Sequence, residues 1–77
     1  MEQSLFGNHI KTLRKSAGLT QIELAEKVGV SKGTVAMWEV NKRETSFAML
    51  MKLSKLFNVS IDFLIKGHEF KEDFLYE

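Results

Sequence analysis

The 77-residue chain contains no cysteine and no proline. Without cysteine there can be neither a disulfide nor a thiolate metal site, a composition that suits a reducing cytoplasm. Without proline no helix is broken by a missing N–H, so every element must end on another signal. An excess of charge of one sign is also lacking, because eleven Lys/Arg face ten Asp/Glu for a net +1. No apolar run approaches the ~20 residues of a membrane span, and the first residues lack a basic-then-apolar leader pattern. No membrane partner is therefore expected. HExxH, Gly-rich phosphate-loop and GxSxG patterns are absent. The two histidines, His9 and His68, stand far apart without supporting ligands, so no metal, no cofactor and no enzyme activity is expected.

What is present is a globular composition, 44% hydrophobic, at a length that supports one small domain and not two. The charge is unevenly spread. Residues 1–66 hold ten Lys/Arg against six Asp/Glu, whereas residues 67–77 hold Lys71 against Glu69, Glu72, Asp73 and Glu77. A basic body with an acidic end can meet a polyanion on one face and keep the tail away from it. The chain therefore divides into a body, 1–66, and a C-terminal tail, 67–77.

The most informative stretch is Gln21 to Trp38. Thr20 with Glu23 three residues on forms a capping box for a helix start. Ile22, Leu24, Ala25 and Val28 then recur near helical spacing. Gly29 follows, where a helix ends in the left-handed region that glycine enters most cheaply, and Ser31 caps a second helix. Val35 and Trp38, three apart, mark that helix's inner side. Ala25 is small enough to let the second helix approach, Val35 packs into the space, and Val30 points inward from the turn. Two helices crossing steeply on a short glycine turn form a helix-turn-helix, which pushes its second helix outward as a probe for the DNA major groove.

The remainder reads as helix throughout. A first helix spans about Leu5 to Ser16 with Phe6, Ile10, Leu13 and Ala17 as its apolar stripe, and Gly18 ends it. The third helix stops near Val40, with Asn41 as its left-handed residue. Ser46 caps a fourth helix that runs to about Phe57, with Phe47, Leu50, Leu53, Leu56 and Phe57 inward and Asn58 as its stop. Met49 and Met51 are filler or exposed surface. Ser60 caps a short fifth helix containing Ile61, Phe63, Leu64 and Ile65, closed by Gly67. The expected fold is all-α, a compact five-helix domain with a short C-terminal extension.

The segments Ile10-Lys-Thr-Leu-Arg14, Gly18-Leu-Thr-Gln-Ile-Glu-Leu-Ala25, Val28-Gly-Val-Ser31, Trp38-Glu39 and Asn58-Val-Ser-Ile-Asp62 together resemble the lambda-repressor-like Cro/C1-type transcriptional regulators, the XRE family. The resemblance covers about residues 6 to 66. It implies a DNA-binding domain that acts as a dimer on a palindromic operator, and it implies that Arg14 and Glu39 pair between the first and third helices. The chain departs from the family pattern twice in the loop after the third helix. Val40-Asn41 replace a polar residue and glycine, and Thr45 replaces a proline.

On this reading the exposed early turns of the third helix, Lys32, Gly33, Ala36 and Met37, read bases. A lysine there can donate to guanine O6 and N7, or instead hold a phosphate. Ala36 and Met37 can touch thymine methyls, and Gly33 permits close approach. So weakly polar a surface leans partly on DNA shape. Phosphate contacts are expected from Gln21 at a helix start, from Ser31 and Thr34, and from Asn41, Lys42 and Arg43 in the loop. Taken alone, a basic pair in a loop is ordinary solvated surface. Trp38 is read as core and not as a stacking platform.

Phe63, Ile65, Phe70, Phe74, Leu75 and Tyr76 form the expected dimer surface, since an exposed apolar cluster of that size is otherwise a liability. The segment from His68 to Glu77 either docks as a sixth helix or meets another subunit. A second function class is an antitoxin-type interaction module whose acidic, aromatic tail covers a partner protein. The leading expectation is a cytoplasmic, homodimeric repressor that binds double-stranded DNA.

Overall fold

The computed structural model describes residues 6–66, and within them five helices follow one another with no strand between: α1 (Phe6–Ser16), α2 (Gln21–Val28), α3 (Lys32–Glu39), α4 (Phe47–Phe57) and α5 (Ile61–Lys66). Four of the five begin where a side chain relieves the orphan N–H groups of the first turn. Thr20 Oγ1 accepts from Glu23 N at 3.0 Å and Glu23 Oε1 accepts from Thr20 N at 2.8 Å, closing the capping box of α2. The Ser31, Ser46 and Ser60 hydroxyls accept from Thr34, Met49 and Phe63 N at 3.1, 3.1 and 2.9 Å at the starts of α3, α4 and α5. The stops are equally local. Gly18 and Gly29 take φ of +74° and +80°, and Asn58 takes +55°.

The core lies where these helices meet. Ile10, Leu24, Val35, Leu53 and Leu64 are fully buried, as is Trp38, whose ring meets Phe6 edge to face at 5.9 Å and 72°. Leu13, Leu19, Val30, Met49, Leu50, Phe57 and Val59 pack around this centre. α3 packs against both α2 and α1, while α5 bridges α1 and α4. His9 adds a polar tie between α1 and α5, its Nδ1–H donating to Leu64 O at 3.1 Å.

Four apolar side chains expected inside are outside. Ala17 is exposed because it lies one residue past the end of α1. Ile22 is 52% exposed, lying roughly 110° around α2 from the buried arc of Leu24, Ala25 and Val28. Phe47 is 67% exposed: it opens α4, and helical side chains lean toward the N-terminus, so it projects beyond the core. Leu56 sits on the flank of α4 and is 38% exposed. Met49 takes part of their place in the core, and Met51 stays exposed. The expected start at Leu5, the closing Gly67 and the tail lie outside the described residues.

Candidate nucleic-acid interface

The turn between α2 and α3 is built as the residue types require. Gly29 N and Val30 N both donate to Ala25 O, at 2.8 and 3.0 Å, folding the end of α2 back on itself. Ala25 and Val35 are buried in the same cluster, and Val30 packs on it from the turn. A small side chain on one helix thus lets the backbone of the next come close, as helix packing at short interaxial distance demands.

The inner side of α3 is locked by charge as well as by packing. Arg14 Nε and Nη2 donate to Glu39 Oε2 and Oε1 at 2.6 and 3.2 Å, a two-pronged pair that joins α1 to the end of α3. Arg14 Nη1 donates to Leu19 O at 2.7 Å. Gln21 Nε2, at the start of α2, donates to Glu39 Oε1 at 3.1 Å. Three helices therefore converge on one buried carboxylate. The hydrogen bond to Glu39 holds the Arg14 guanidinium above even its usual high pKa, with Coulomb attraction adding and burial opposing. The expected Arg14–Glu39 pair is present. Glu39's further donor, Gln21, and Arg14's further acceptor, the Leu19 carbonyl, carry no pattern that a sequence displays.

Among the described residues nothing covers the outer side of α3. Lys32, Gly33 and Met37 are exposed and Ala36 is half-buried, so all four expected base readers share the open side of one helix. Ser31 is exposed at its start and Thr34 half-buried, their hydroxyls 3.0 Å apart. Gln21 is half-buried with its amide nitrogen turned inward onto Glu39.

Past α3 the chain makes a tight exit. Asn41 N donates to Trp38 O and Lys42 N to Met37 O, both at 2.9 Å, and Asn41 takes φ +59°. This paired-bond stop is the one that glycine usually serves. Asn41 Oδ1 also accepts from Gly7 N at 3.1 Å, a contact across 34 residues that no local pattern announces. Lys42, Arg43 and Glu44 follow, all exposed. Arg43 borders an open cleft of about 510 Å³ with Phe6, Thr45, Leu50 and Ile65. Phe63 and Ile65 on α5 are half-buried, with the Phe63 ring 6.1 Å from that of His9. Phe70, Phe74, Leu75 and Tyr76 lie outside the described residues. Among the described residues no cluster of His, Asp and Glu could hold a metal ion, and no helix is long and apolar enough to cross a membrane.

Comparison with known proteins agrees with this geometry. Residues 10–64 match a family model described as helix-turn-helix. The uncharacterized HTH-type transcriptional regulator YqaE of Bacillus subtilis is 33% identical over 63 residues, which cover 82% of this chain and 54% of that protein. The chain spans about half the length of the curated relatives it matches first. The c2 repressor of Salmonella phage P22, solved in complex with a synthetic operator, superposes with a TM-score of 0.78 at 36% identity, covering 83% of this chain and 97% of that one. The Bacillus subtilis biofilm regulator SinR, solved in complex with DNA, superposes at 0.70 with 38% identity over 77% of this chain and 95% of that one. These relatives are a transcriptional regulator, a repressor and a regulator of biofilm formation. The chain belongs to the XRE-type helix-turn-helix family of transcriptional regulators.

Proposed function

We propose that this chain binds double-stranded DNA as a transcriptional repressor and lays the outer side of α3 in the major groove. The observation that carries the reading is the two-sidedness of α3: Val35, Trp38 and Glu39 are buried and held from α1 and α2, while Lys32, Gly33 and Met37 face outward. A helix held so firmly on one side and left bare on the other is a rigid probe. The relatives solved with an operator or with DNA share this arrangement of helices.

In this reading Lys32 donates to guanine or to a phosphate, Ala36 and Met37 meet thymine methyls, and Gly33 lets the backbone approach. Gln21, Ser31, Thr34, Asn41, Lys42 and Arg43 meet the phosphates on either side. The unit acts as a homodimer in the cytoplasm on a palindrome whose half-site centres lie about 34 Å apart. Phe63 and Ile65, together with Phe70, Phe74, Leu75 and Tyr76 of the tail, form the contact between subunits. If the tail instead covers a partner protein, the chain on its own stays monomeric and loses no DNA affinity on truncation after Gly67.

Selection of bound fragments from a random duplex pool tests the proposal. Recovery of an inverted repeat with half-sites one helical turn apart is expected. Failure to retain any duplex at low salt refutes DNA binding, and recovery of an asymmetric site by a monomer refutes the dimer.

A further inference from the structure

Asn41 stands where the chain leaves α3 for the Lys42–Arg43 loop, in a left-handed conformation that side chains disfavour. The backbone bonds of that exit, Asn41 N to Trp38 O and Lys42 N to Met37 O, would form with glycine too. What asparagine adds is its amide, whose Oδ1 accepts from Gly7 N at 3.1 Å. Gly7 is the second residue of α1, where an N–H has no acceptor within the helix. The fit is tight from the other side as well. A β-carbon on Gly7 would lie 2.3 Å from Trp38 O and 2.7 Å from Asn41 Oδ1, so only glycine lets α1 come this close. α1 is itself fixed, with Ile10 in the core and Arg14 on Glu39.

We infer that Asn41 is a positioning residue: through its bond to Gly7 it pins the exit of α3 to α1, and so aims the charges of Lys42 and Arg43. This rests on the DNA-binding reading above. It gives Asn41 a role beyond the phosphate contact proposed above: the acceptor half of its amide is committed inward to Gly7 N, whereas a phosphate would take only the donor half. It also makes the departure from glycine at this position a gain in order, although glycine would relieve the backbone.

Two measurements test it. Amide exchange reads the bond directly: Gly7 N–H is protected in the parent chain and in Asn41→Asp, which keeps the acceptor, and exchanges freely in Asn41→Gly. Affinity for a mixed-sequence duplex of about 20 base pairs at low salt reads the aim of the loop, because phosphate contacts do not depend on sequence. Asn41→Gly lowers that affinity about fivefold, the size of one lost hydrogen bond. The same change made in a chain already carrying Lys42→Ala and Arg43→Ala costs less than about twofold, since there are no charges left to aim. An equal loss in both backgrounds overturns the inference, as does unchanged affinity in Asn41→Gly. Free exchange of Gly7 in the parent chain overturns this inference alone. A parent chain that retains no duplex overturns the DNA-binding reading and this inference with it.

Discussion

Removing either partner of the Arg14–Glu39 pair should cost far more than removing both. In Glu39→Ala the buried guanidinium loses its bonds at 2.6 and 3.2 Å and keeps only Leu19 O, while Gln21 loses its acceptor. In Arg14→Ala a buried carboxylate keeps only the Gln21 amide. An uncompensated buried charge costs about 3–5 kcal/mol. A domain of this size is stable by about 4–12 kcal/mol in all, so each single variant loses about a quarter of its stability or more. At about 4–8 °C per kcal/mol, its melting temperature falls by roughly 10–40 °C. Arg14→Met combined with Glu39→Leu leaves no charge inside, strands the Leu19 carbonyl and frees the half-buried Gln21 amide to turn to solvent, at a cost of about 1–2 kcal/mol. Urea unfolding, followed by far-UV circular dichroism and by the fluorescence of Trp38, the sole tryptophan, gives all three values. Singles that each cost under about 1 kcal/mol, or a double variant as unstable as the sum of the singles, would refute the argument that this pair matters by mutual compensation.

Three further outcomes follow from the same geometry. Ala25→Leu forces extra methylenes between α2 and α3, costing about 1–3 kcal/mol by urea unfolding and lowering DNA affinity alongside. Lys32→Ala leaves stability within about 0.5 kcal/mol, because the side chain is exposed. Its effect on binding separates two roles: loss of discrimination at one base pair if it reads guanine, or a salt slope lower by about one unit on every sequence if it holds phosphate. Phe47→Gln leaves the melting temperature within about 4 °C, since that ring is two-thirds exposed.

The parts of the fold that depend on one residue and its near neighbours were readable from the chain. Thr20, Ser31, Ser46 and Ser60 cap as expected, and Gly18, Gly29, Asn41 and Asn58 take the left-handed stops, because capping is decided within four residues. Helical spacing also located the buried stripes, but it overreached at helix ends. Ile22 and Phe47 are apolar and near the right period, yet in short helices the buried arc is set by neighbours that the local sequence does not contain. Arg14 with Glu39 came from the family resemblance and not from spacing. The bonds from Asn41 to Gly7, Gln21 to Glu39 and His9 to Leu64 join residues 34, 18 and 55 apart, and only the folded chain brings them together. The cap, glycine and spacing pattern of residues 20–38 pointed to α3 as the candidate interface, and Lys32, Gly33 and Met37 on that helix are exposed. Which amide hydrogen bonds of Gln21 and Asn41 turn inward was a matter of tertiary packing.

Whether α3 is the surface that enters DNA is tested most directly by an amide chemical-shift titration of the isotope-labelled protein with a duplex recovered from a random pool. The largest changes should fall at Lys32, Gly33, Thr34, Ala36 and Met37 and at Lys42 and Arg43, with Val35 and Trp38 reporting only weakly from the buried side. Changes centred instead on α4 or α5, with Lys32 to Met37 unmoved, would contradict it.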